Sequence, residues 1–94
     1  MSRATHANDP SMNVERSIEE AIMTLLAIRG RDKTICPSEA AREVSPSDWR
    51  DLMDATRTIA ARLASEGRIE VTQQGQPIDL SSANGPVRLR LPRE

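Results

Sequence analysis

Residues 47–73 read SDWRDLMDATRTIAARLASEGRIEVTQ, and within this stretch the spacing of apolar side chains changes from a helical period to a strand period. Trp49, Leu52, Met53, Thr56, Ile59, Ala60 and Leu63 fall on one arc when wound at about 100° per residue, which predicts an amphipathic helix with those residues inward. Gly67 ends it. Beyond the glycine, Ile69 and Val71 alternate with Arg68, Glu70 and Thr72. In residues 85–91, GPVRLRL, Val87, Leu89 and Leu91 alternate with Arg88 and Arg90. Period-2 alternation of this kind marks an antiparallel pair with one buried face. The loop from Gln74 to Gly85 is too long for a two-residue hairpin turn. It is expected to project as a wing, with Asp79-Leu80-Ser81-Ser82 as a single helical turn inside it.

Upstream, Val14, Ile18, Ala21, Ile22, Leu25, Leu26 and Ile28 share an arc and predict a first helix that stops at Gly30. Arg16, Glu19 and Glu20 occupy its opposite face, together with Met23, which with Ala27 is a candidate weak-dimer patch. Arg31-Asp32-Lys33 is a turn, and Thr34-Ile35 leaves room only for a bridge to the later hairpin. Pro37 suits the first position of a short second helix, Pro37–Val44, because its missing N–H needs no partner there. Glu39 complements the helix dipole, and Ala40, Ala41 and Val44 turn inward. Ser45, Pro46 and Asp48 then form a capping-box pattern that opens the third helix. Residues 1–13 are polar and aperiodic, so a disordered tail is expected there, with a domain over 14–91 and a short C-terminal tail at 92–94. Three helices, the last two joined by a tight turn, followed by a two-stranded hairpin, define an α+β winged helix with an embedded helix-turn-helix.

With 94 residues, the chain makes one domain that buries only about 60–65% of the surface its unfolded form exposes. Trp49 is the only aromatic residue, so burial falls to Leu, Ile, Val, Ala and Met, and Trp49 is expected at the centre of the inner arc rather than as a base-stacking residue. The lone Cys36 excludes an internal disulfide and a cysteine-rich zinc site; a half-buried structural thiol is expected. His6, the only histidine, has no partner for a metal site. No apolar run reaches the roughly 20 residues that span a bilayer. A cytoplasmic protein without cofactor, metal or membrane is therefore expected. Glu19 and Glu20 are adjacent and splay about 100° apart on a helix, which rules them out as an acid–base pair, and no catalytic constellation can be nominated.

The combination Cys36-Pro37-Ser38-Glu39-Ala40-Ala41-Arg42, Trp49-Arg50 with Leu52-Met53, Gly67-Arg68-Ile69-Glu70-Val71-Thr72-Gln73 with Gly75, Pro77 and Asp79, and Gly85-Pro86 with Arg88 and Leu89 resembles a family of short bacterial winged-helix proteins of unknown function. The resemblance covers about Val14 to Leu91. It implies the fold and a bacterial cytoplasmic origin, and it carries no substrate, cofactor or catalytic residue.

The formal net charge of -1 gives no global attraction to a polyanion, since nonspecific DNA affinity comes from phosphates neutralised by Lys and Arg. Local clustering must supply it. Candidate contacts to double-stranded DNA or to a protein partner are Arg57 and Arg62 on the third helix, Arg68, Arg88 and Arg90 on the outer face of the hairpin, and Gln73, Gln74 and Gln76 around Gly75. Against DNA stand Asp48, Asp51 and Asp54, which occupy the part of the third helix that normally meets bases. Glu70 is expected as a cross-strand partner among the arginines. Two readings stay open: a weak or accessory DNA-binding module, and a protein-interaction module using the acidic third helix or the wing. A monomer or weak dimer suits either.

Overall fold

The structure is a computed structural model that describes residues 10–80 and 85–92. Its elements are α1 (Pro10–Arg29), α2 (Pro37–Val44), a 3-10 segment (Trp49–Leu52), α3 (Met53–Ser65) and strands β1 (Glu70–Gln73), β2 (Gln76–Pro77) and β3 (Arg88–Arg90). The α+β class and the three helices agree with the sequence reading.

The expected tail at 1–13 is corrected at its inner end, because α1 already begins at Pro10; residues 1–9 lie outside the described residues. Proline is at home in a first helical turn, where its missing N–H costs nothing. Along α1 the residues Ile18, Ala21, Ile22 and Leu26 are buried. Two details of the arc differ from expectation. Ile28, in the last turn beyond Leu26, is 74% exposed, while Met23 packs partly buried against the core. Ala27 is exposed while Met23 is only partly so, which leaves the Met23–Ala27 patch a smaller outward surface than the periodicity suggests.

Helix α2 is opened by its own Glu39, whose carboxylate accepts the Cys36 amide at 2.9 Å, the reciprocal half of a capping box. Cys36 is half-buried. Ser45 Oγ accepts the Asp48 amide at 3.3 Å, but Ser45 is the C-cap of α2 and the helical segment that follows is capped by Asp48 without a side-chain bond, so the capping box expected at Ser45, Pro46 and Asp48 is corrected to a turn ahead of the third helix. The third helix does not begin as a regular α-helix, however. Trp49–Leu52 are wound as 3-10, at about 120° per residue instead of about 100°, so four steps back from Met53 the azimuth of Trp49 has moved by about 80°. Trp49 consequently leaves the inner arc. It is half-buried and absent from the cluster of buried and packed apolar residues, whereas Thr56, Ile59, Ala60 and Leu63 are buried as expected. Helix α3 ends in a Schellman motif: Gly67 has φ +77, its amide donates to Ala64 O at 3.0 Å, and the Arg68 amide donates to Leu63 O at 2.9 Å.

The sheet has three antiparallel strands in the order β2-β1-β3, not two. Register between β1 and β3 pairs Glu70 with Arg90, Val71 with Leu89 and Thr72 with Arg88. On the other edge Gln73 pairs with Gln76 and Thr72 with Pro77. The chain therefore turns at once after β1, through Gln74 (φ 55) and Gly75 (φ 83), and the loop that opens at Gln74 is corrected to a two-residue hairpin followed by a longer return to β3. Positive φ at both central positions defines a type I′ turn, whose twist matches the flanking strands; Gln-Gly lacks the Asn or Asp that advertises it. Leu80 alone of the expected turn at 79–82 is described as 3-10, and 81–84 lie outside the described residues. Ile35 forms an isolated antiparallel bridge to Leu89, exchanging N–H···O bonds of 2.9 and 2.8 Å. Ile35, Leu63, Ile69, Val71, Val87 and Leu89 join the α1 residues in one core.

Candidate functional site

The arginines expected to reach a partner are arranged by carboxylates. Glu19, on the outer side of α1, accepts a bond from Arg62 of α3 and another, at 2.7 Å, from Arg68 beyond the Schellman turn. Glu66 lies 3.2 Å from Arg62 and 3.7 Å from Arg68. Two guanidiniums and two carboxylates thus form a clamp that ties α1 to the end of α3. The Arg68 and Arg62 bonds hold the Glu19 carboxyl below the ordinary glutamate value, and the bond to Glu19 raises Arg62 correspondingly. On the sheet, Arg90 Nε donates to Glu70 Oε1 at 2.8 Å, the cross-strand pair that the alternation predicts. Its side chain is only 13% exposed, so it is not presented to solvent as a phosphate contact.

Arg88 takes neutral partners: its Nε donates to Thr34 Oγ1 at 2.8 Å and its Nη2 to Thr34 O at 3.3 Å. Beside it, Gln73 Nε2 donates to Pro86 O at 3.1 Å, and Gln73, Gln74, Pro86 and Arg88 line an open hollow. Gln74 and Gln76 are exposed on the hairpin, and Arg57 is half-buried on α3. The eight expected contact residues are therefore divided among a clamp at one end of α3, a half-buried pair, a hollow with its hairpin tip, and Arg57.

A third charged network joins the start of α2 to the end of α1. Arg29 bonds Glu39, whose other oxygen holds the Cys36 amide. Partial burial alone would raise the Glu39 carboxyl. The Cys36 amide and the Arg29 guanidinium outweigh it, and the group lies below its ordinary value.

Sequence reasoning missed the arrangement at the helix-helix turn. The guanidiniums of Arg42, from α2, and Arg50, from the 3-10 segment, lie 4.4 and 4.6 Å from the centroid of the Trp49 ring. Each such contact contributes about 0.5–1 kcal/mol at an exposed site. Adjacency of Arg50 to Trp49 was visible in the sequence; Arg42 is brought there by the turn between the helices. Leu52 and Met53, half-buried and likewise outside the core cluster, are next in the chain.

These features describe a small α+β domain whose surface is organised by arginine–carboxylate clamps and one aromatic–cation stack. Among the described residues no group of three or more His, Cys, Asp or Glu could hold a metal ion, and no helix is long and apolar enough to cross a membrane. The chain belongs to the family described as Protein of unknown function (DUF3253), which matches it over residues 15–92. No curated protein matches the chain.

Proposed function

We propose that the chain is a non-enzymatic winged-helix module of the reducing cytoplasm whose partner is another polypeptide. The order helix, bridge, helix, helix, strand, strand, strand supports the winged-helix assignment, with Ile35 beside β3 and β3 beside β1, and the β1–β2 hairpin serving as the wing. The observation that carries the choice of partner is that Arg62, Arg68 and Arg90 are each bonded to a carboxylate of the same chain. A phosphate backbone would have to displace Glu19, Glu66 and Glu70 before any counterion release could favour binding, and Asp51 and Asp54 stand exposed where a groove-reading helix would meet it. Protein surfaces accept such mixed charge, where complementarity sets specificity more than affinity.

A photo-crosslinking amino acid at Asp54 or Gln76, expressed in the native host, is expected to give one discrete polypeptide adduct. Its absence, together with micromolar binding of a labelled duplex, would overturn the proposal. Weak accessory binding to double-stranded DNA is the second reading, favoured by Arg57 and Arg88, which have no ion pair among the described residues, and by the exposed amides of Gln74 and Gln76. Two phosphate contacts give a salt slope of roughly -2 in log–log terms, so fluorescence anisotropy at two salt concentrations separates this from conventional groove docking.

A further inference from the structure

We infer that the Arg42–Trp49–Arg50 stack is a docking point for a polypeptide segment that carries aspartate or glutamate beside an aliphatic side chain; this rests on the protein-partner reading and names the class of partner. Arg29, Arg62, Arg68 and Arg90 are held in ion pairs. Arg42 and Arg50 are exposed and have no carboxylate partner among the described residues, although Asp54 stands at the (i, i+4) position from Arg50, where helical neighbours ordinarily meet.

Both guanidiniums lie on the indole instead. A guanidinium over a ring spends no hydrogen-bond donor there, so the N–H groups that bind carboxylate bidentately stay available. Held there, each fork loses little freedom on binding, so its donors are pre-organised. Trp49, Leu52 and Met53 are half-buried, so apolar surface stays partly open on the segment that carries Arg50. Trp, Arg and Met are the residue types enriched at the centre of protein interfaces.

The surrounding charge selects against an extended polyanion. Asp48, Asp51 and Asp54 are exposed nearby in the chain, and a wall of phosphates would bring like charge onto all three. A single carboxylate per fork does not, and an aliphatic neighbour suits the half-buried Leu52 and Met53 that follow in the chain.

The test uses the whole chain and a random dodecapeptide phage library. Trp49 is the only tryptophan and tyrosine is absent, so emission reports the stack alone. Enriched sequences pairing Asp or Glu with Leu, Ile or Val are expected. A synthetic peptide of that consensus should shift Trp49 emission, and R42Q/R50Q should weaken it roughly tenfold or more with the circular dichroism unchanged. Amide shifts induced by the peptide in the wild-type chain should centre on residues 42–53, a measurement independent of how the variant folds. Enrichment of basic peptides, or of none, overturns the inference. Peptide binding insensitive to R42Q/R50Q, with shifts elsewhere, overturns it while leaving the protein-partner reading standing. A duplex that shifts Trp49 emission where acidic peptides do not would overturn both.

Discussion

Gly67 shows how one residue can stop a helix and aim the chain into the next strand. Its φ of +77 belongs to the left-handed region, where an L side chain is strained. Nothing lies within 4 Å of an added Cβ, so the cost of Gly67→Ala is conformational rather than steric. We expect a loss of about 1 kcal/mol, read as a lower midpoint in urea with unchanged m. Gln74 is the complementary case. It adopts φ 55 at the first central position of a type I′ turn, where asparagine is preferred. Gln74→Asn should therefore stabilise the domain by roughly 0.5 kcal/mol, and an unchanged midpoint would mean that the turn does not limit stability. Gly67 was legible in the sequence because it ends a clean helical period. The turn at Gln74-Gly75 was not, since its conformation is chosen by pairing between Gln73 and Gln76.

At the scale of elements, the charged clamps act as fasteners between helices. Glu19 bonds two arginines from a different part of the chain, and its carboxyl is held below the ordinary value of 4.5. A glutamate lowered in the folded state contributes stability that is present above its unfolded value and lost as pH falls through the folded value. Glu39, lowered by the Cys36 amide and Arg29 against its partial burial, acts in the same direction. Stability should thus decline as pH is lowered below about 4.5, and E19Q should flatten that decline while costing about 1 kcal/mol or less at neutral pH, as expected for a solvent-screened pair. Denaturant midpoints from pH 7 to pH 3 check both; parallel curves for E19Q and the parent would refute the role given to Glu19. The partners of Glu19 lie 43 and 49 residues away along the chain, which is why no local pattern announced them. Glu70 and Arg90 were legible, because alternation placed them on one face of paired strands.

For the whole molecule, Ile35 has an influence out of proportion to its single bridge. It is fully buried and both donates to and accepts from Leu89, so the segment between α1 and α2 is tied to the last strand of the sheet. Ile35→Ala should cost about 2–4 kcal/mol through lost burial and the cavity left behind, a large share of the stability available to a domain of this size. Because one core joins all three helices to the sheet, unfolding followed by Trp49 emission and by far-UV circular dichroism should coincide. Separate transitions would show that the helices hold together without the sheet.

Taken by itself, the sequence determined the three helices and two principal strands, their order, most of the buried positions and the pairing of those two strands. Those properties follow from periods of 3.6 and 2, which each element carries within its own residues. Tertiary structure alone decided which partners Glu19, Arg62 and Arg68 took and where the tryptophan went. A 3-10 turn rotated Trp49 out of the core and onto Arg42 and Arg50, and folding brought Glu19 between Arg62 and Arg68. The physical reason is the same in both cases: the position of a side chain at the surface depends on groups distant in the chain, and on local helical winding that hydrophobic spacing does not encode.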